Sequence, residues 1–121
     1  MATRHRLSLI IFSGDFDRVH YALAMASAAA ATDRPVTMFF SGRALRFFLA
    51  EAADGTPGWA ALAPAENGKT AIERDTELCS DGIGTIEELA MACVELNVAF
   101  FRCDMGVKAS KLDATTFRSD L

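Results

Sequence analysis

Two short, continuous apolar runs, Leu7 to Phe12 and Val36 to Phe40, stand on either side of an alanine-rich stretch, and each closes on a turn-forming pair, Ser13-Gly14 or Ser41-Gly42. Runs of five or six apolar residues are too short for buried helices. Leu7 to Phe12, being continuous rather than alternating, predicts a strand buried on both faces of a parallel sheet, and the partly β-branched Val36 to Phe40 predicts a second strand. The residues from Arg18 to about Thr32 read as a helix, with Asp15 or Asp17 available as its cap and small side chains that allow close approach to a sheet. Pro35 stops it. Strand, helix, strand is the βαβ unit, whose crossover is almost always right-handed. The expected fold class is therefore α/β, a three-layer α/β/α stack around a small parallel sheet.

The 121 residues suffice for one domain, read as spanning 1–121, and not for two independent cores. Hydrophobic residues make up 51% and charged residues 23%, so the chain can bury a core. A net charge of −4 repels phosphate backbones, which argues against nucleic acid as a partner. The most apolar stretch, YALAMASAAAA, is shorter than the roughly 20 residues that cross a bilayer, which argues against a membrane partner. The amino terminus has a basic start but no long apolar core or small-residue cleavage site, so a reducing cytoplasm is the expected compartment.

Further along, a second helix is expected from Arg43 to about Ala52. Between Ala53 and Gly84 lie five glycines and two prolines with little sustained period, which predicts a long loop or lid with short helical pieces. Thr85-Ile86-Glu87-Glu88 fits a capping box. The helix it opens places Ile86, Leu89, Ala90, Cys93 and Leu96 or Asn97 on one face. Val98 to Arg102 reads as a third strand, and Met105 to about Leu112 as a last short helix.

In a parallel sheet the carboxyl ends of the strands share one edge, where ligands gather. Three segments should meet there: Ser13-Gly14-Asp15, Ser41-Gly42-Arg43 and Cys103-Asp104-Met105. The three cysteines are too few and wrongly spaced for a zinc site or a disulfide scaffold, and no metal or cofactor is expected. Cys103 alone belongs to the edge, between a strand end and a helix start, where backbone amides favour a thiolate. Arg43 could hold an anion or help ionise that thiol, whereas Asp104 would oppose ionisation unless turned away as a cap. Cys93 is expected in the core. Cys79 is either an exposed spare or a second redox thiol. Ser13-Gly14-Asp15 matches no phosphate-loop pattern.

LSLIIFSGDFDRVHYALAMASAAAATDRPVTMFFSGRAL resembles the opening of DsrE/DsrF-like proteins, and GIGTIEELAMACVELNVAFFRCDMGVKASKL is similar to that family's second signature. The two blocks cover about two thirds of the chain in the expected order. The resemblance implies a small parallel-sheet α/β fold and assembly into homo-oligomers, trimers or hexamers. It also implies intracellular sulfur relay through a cysteine persulfide, with the family cysteine at Cys103 and sulfur donor and acceptor proteins as partners. Members usually continue past this helix into another helix and a closing strand, whereas this sequence stops after LDATTFRSDL. The expectation is a shortened chain, the other possibility being a sheet edge that a partner must cover. The leading functional expectation is a sulfur carrier or sulfurtransferase using Cys103. The alternatives are a peroxiredoxin-like thiol-redox protein in which Cys79 resolves an oxidised Cys103, and a non-catalytic oligomeric binding module at the same edge.

Overall fold

The computed structural model describes residues 5–121 and has a small α/β fold built on a three-stranded parallel sheet. The elements run β1 (Leu7–Ile11), α1 (Phe16–Ala31), β2 (Val36–Phe40), a 3-10 helix (Gly42–Phe48), a second 3-10 turn (Gly58–Ala61), α2 (Ala71–Ser80), α3 (Ile86–Glu95), β3 (Ala99–Arg102) and α4 (Asp104–Ala109). The strand order is β1-β2-β3, with Leu7 paired to Val36 and Thr37 to Ala99 at the starts of the two ladders. Among the described residues no helix is long and apolar enough to cross a membrane.

Side chains alternate along each strand, and only one face of the sheet is covered. Ile11, Val36, Met38 and Phe40 are buried, and Phe100 packs against them. On the opposite face Ile10 is 78% exposed and Phe101 53%. The continuous apolar run at Leu7 to Phe12 thus does not mean burial on both faces, and the expected third layer is not found among the described residues. The strand order explains this. Successive right-handed crossovers that always advance in the same direction put their helices on one face, and a helix on the other face requires the order to reverse.

The covered face is packed by α1, which presents Phe16, Val19, His20, Leu23 and Ala26 at offsets of three, four and seven. α3 packs against α1 with Ile86, Ala90 and Cys93 buried. Cys93 is core, as expected: its Sγ lies 3.5 Å from the Leu23 carbonyl, and burial pushes the thiol up to about 11. Leu89 is half-buried, while Leu96 is exposed and Asn97 turns out of the helix at φ 63°.

The expected helix from Arg43 to Ala52 is instead the 3-10 helix Gly42–Phe48, with Leu49 already extended. Its tight winding directs Phe47 and Phe48 onto Phe40, at ring separations of 5.5 and 4.7 Å. The expected loop or lid of 53–84 is also more ordered than its composition suggests. Trp59, Leu62 and Ala65 are buried, with Trp59 against Phe16, and α2 occupies residues 71–80. α2 opens on a second capping box, Thr70 with Glu73, of the same form as the one at Thr85 and Glu88. Its apolar side is thin, only Ala71 and Leu78 being buried beside Asp75, so hydrophobic period alone does not reveal it.

At α3, Thr85 Oγ1 accepts from Glu88 N at 3.1 Å and Glu88 Oε1 accepts from Thr85 N at 3.3 Å. Thr85→Ala removes one of these bonds and loosens the other. Urea denaturation is expected to show a loss of about 1 kcal/mol with an unchanged m-value.

Candidate functional site

The ladder brings the three turn segments together at the carboxyl edge. Ser41 N donates to the Ile11 carbonyl at 2.9 Å, and Cys103 N to the Phe40 carbonyl at 3.0 Å, so pairing continues past each strand's last residues. Glycines then let the turns touch. A Cβ on Gly14 would sit 2.5 Å from Arg43 Cβ, and one on Gly106 would sit 2.9 Å from Leu45 Cδ1 and 3.4 Å from Gly42 N. Gly42 has φ 56°, which favours glycine, and lies against the Phe12 ring. Sequence reasoning missed Gly106. The signal was available, because glycine inside a short helix costs about 1 kcal/mol relative to alanine and calls for a reason.

Cys103 is the N-cap of α4, and its Sγ accepts a hydrogen bond from Gly106 N at 3.4 Å. The residue is half-buried. Asp104 is therefore not turned away as the cap: the sulfur takes that position, and Asp104 stands exposed in the first turn. α4 ends at Ala109 rather than Leu112. Met105 is 76% exposed beside the sulfur-bearing turn. Just before Cys103, the Arg102 guanidinium lies 5.2 Å from the centre of the Phe48 ring and 5.0 Å from that of Phe117, which fastens the end of β3 to the aromatic core.

The remaining edge residues support the turns. Ser13 Oγ accepts from Asp15 N at 3.2 Å, and the Ser41 carbonyl accepts from Ala44 N at 3.2 Å. Gly14 is buried, and its carbonyl accepts from Ala63 N at 2.8 Å, which ties the 58–65 segment to the start of α1. Asp15 occupies the N-cap of α1 without a side-chain cap bond and lies 3.7 Å from Arg18. Asp17 instead accepts from Arg74 and from Glu66 N. Arg43 packs its Cβ on Gly14, is exposed, and forms no ion pair among the described residues.

Cys79 is exposed on α2, which packs on the 58–61 turn, whereas Cys103 opens α4, which packs on the 42–48 helix. Both thiols are free, and no disulfide joins them. A groove of about 900 Å³ runs along α1, lined by Ile10 and Phe12 and by Arg74 and Ile83. Its lining includes Ser13 but not Cys103, Ser41, Gly42 or Arg43.

His20 on α1 and Asp75 on α2 are buried polar groups. His20 Nε2 is 2.8 Å from the Gly84 carbonyl, and Asp75 Oδ1 accepts from Ile86 N at 2.8 Å. Burial pushes the Asp75 carboxyl up, against the opposing effects of the Ile86 amide and His20. Both residues fix the Gly84–Ile86 turn that begins α3, a structural role the sequence pattern did not reveal.

The carboxyl edge thus presents one half-buried sulfur with an amide aimed at it, held by three glycine-mediated contacts between turns. Such a group can act as a nucleophile or carry a transferable sulfur atom. In sequence the chain matches no protein-family model and shows no significant similarity to a curated protein.

Proposed function

We propose that this chain is a DsrE/DsrF-like, homo-oligomeric sulfur-relay protein of the cytoplasm that carries sulfur on Cys103. The observation that carries the reading is the placement of Cys103 Sγ at the N-cap of α4. There it is half-buried, receives the Gly106 N–H, and lies at the carboxyl edge of a parallel sheet. A hydrogen bond from an amide serves a sulfur anion better than a neutral thiol. Cys93 is sealed in the core and Cys79 has no such setting.

In the proposed cycle the Cys103 thiolate attacks the outer sulfur of a donor persulfide. The new S–S bond forms on Cys103 as the donor's S–S bond breaks, and the donor leaves as a thiolate. An acceptor thiolate then attacks the outer sulfur of the Cys103 persulfide and restores the Cys103 thiolate. One sulfur atom moves in each step, and no external oxidant or reductant is consumed.

Intact-mass measurement after incubation with a persulfide donor tests this. Wild type is expected to gain one cyanide- and thiol-releasable sulfur atom per chain, and Cys103→Ser none. An unmodified wild type, or equal loading of Cys103→Ser, would refute the proposal.

A further inference from the structure

Residues 65–83, which comprise α2 and the turns on either side of it, bury only Ala65, Ala71, Asp75 and Leu78. No strand ladder includes them, and among the described residues their backbone-to-backbone hydrogen bonds stay inside the segment. The chain is anchored just outside it. Ala63 exchanges hydrogen bonds with Gly14 and Phe16 at 2.8 and 3.1 Å, and the Gly84 carbonyl lies 2.8 Å from His20 Nε2.

Between those anchors three bonds reach out of the segment. Asp17 on α1 accepts from Arg74 Nε and from Glu66 N, each at 3.1 Å, and Asp75 Oδ1 accepts from Ile86 N at 2.8 Å. Two of the three thus converge on one carboxylate. Inside the segment the Glu77 carboxylate accepts from Asn67, Lys69 and Arg74, and Ala65 N donates to the Lys69 carbonyl, so turn and helix are braced as one body. The segment is strongly tied to itself and weakly tied to the core.

Its position matters because of the groove along α1. Every residue lining that groove belongs either to 9–25, in β1 and α1, or to 66–83. The groove is therefore the space between this segment and the rest of the fold, and Asp17, Glu66 and Arg74 are all part of its lining.

We propose that residues 65–83 are a flap that opens this groove as a unit, with the Asp17 carboxylate as its latch. Low buried apolar content and the lack of a ladder make such a segment a local opening unit, released well below the free energy of global unfolding. The Arg74 and Asp17 side chains are 25% and 27% exposed, so salt reaches and weakens the latch. The inference is independent of the sulfur-relay reading and holds whether or not Cys103 reacts.

Hydrogen exchange read by mass spectrometry tests it. In wild type the amides of α2 are expected to exchange at least about tenfold faster than those of α1 and α3. Asp17→Asn and Arg74→Gln should each speed α2 exchange about fivefold and leave α3 and the sheet unchanged. The double variant should be no more than about twofold faster than the faster single one, because both remove the same latch. Raising NaCl from about 0.05 to 1 M should speed α2 exchange in wild type and not in the double variant. The groove reports the same event: Leu78 lines it and is 6% exposed, so peptide-mapped iodoacetamide labelling of Leu78→Cys should speed up by a similar factor when Asp17→Asn is added. Exchange of α2 at the rate of α1 and α3 overturns the proposal, as do additive single variants, a salt effect that persists in the double variant, or labelling indifferent to Asp17. Should a variant fail to fold, the wild-type salt series decides: faster exchange confined to α2 supports the flap, and a uniform or absent response overturns it.

Discussion

Phe48→Ala is expected to cost about 3–5 kcal/mol, a large part of the ~5–15 kcal/mol that holds a typical domain together. Phe48 is fully buried, and its ring lies 4.7 Å from Phe40, 5.2 Å from Phe47, 6.2 Å from Phe100 and 6.4 Å from Phe117. It therefore joins the 3-10 helix, β2, β3 and the C-terminal segment. Truncation leaves a cavity bordered by rings that cannot all collapse into it, and it removes one of the two rings beneath Arg102. Denaturant unfolding should show a lower midpoint, and the lost packing should raise the alkylation rate of Cys103, which directly follows Arg102. Phe48→Leu, which keeps most of the volume, should cost much less. A loss below about 1 kcal/mol for Phe48→Ala would contradict this account of the core.

Gly58→Ala is expected to be comparably damaging by the opposite mechanism. A Cβ at this position would lie 1.8 Å from the Leu49 carbonyl oxygen, 2.3 Å from its carbon and 2.9 Å from the Ala50 oxygen. These are backbone atoms, and no rotamer change relieves the clash. Leu49 is also fixed from the other side, through its bridge to Phe117 and the bonds of Ala50 N to Thr116 O and Arg118 N to Phe48 O. The 57–61 turn must move instead, drawing Trp59 off Phe16. A loss of about 3 kcal/mol or more is expected, with a change in tryptophan fluorescence, since Trp59 is the single tryptophan. Gly84→Ala is the control: its Cβ would meet Leu89 at 3.4 Å, an ordinary contact, and a loss within about 1 kcal/mol is expected.

The parts of the fold legible in the sequence are those governed by local chemistry. The strands at Leu7 and Val36 announce themselves as apolar runs ended by serine and glycine, and α3 by its capping box and by the spacing of Ile86, Ala90 and Cys93. α2 carries an equally clear box at Thr70 and Glu73, but the surrounding glycines and polar residues mask it, because a helix with so narrow a buried side has almost no hydrophobic period. The 3-10 winding of Gly42–Phe48 was not legible. Its helical character is local, but its pitch follows from the need to seat Phe47 and Phe48 together on Phe40.

The carboxyl edge divides in the same way. That Ser13, Ser41 and Cys103 lie at one edge follows from strand ends in a parallel sheet. That Gly14 meets Arg43 and that Gly106 meets Gly42 are contacts between segments far apart in the chain, whereas the capping of α4 by the Cys103 sulfur rather than the Asp104 carboxylate is a local contact three residues long, for which the two neighbouring side chains compete.

By itself, then, the sequence determined the α/β class, the parallel pairing of its strands and the position of Cys103 at a strand end, because hydrophobic period, turn residues and crossover chirality act over short stretches. Only the tertiary structure decided how many faces of the sheet are covered. A continuous apolar run reads the same whether its second face meets a helix, another copy or water. The distinction comes from strand order, here β1-β2-β3 without reversal, which keeps every crossover helix on one side and leaves Ile10, Phe39 and Phe101 in an open row.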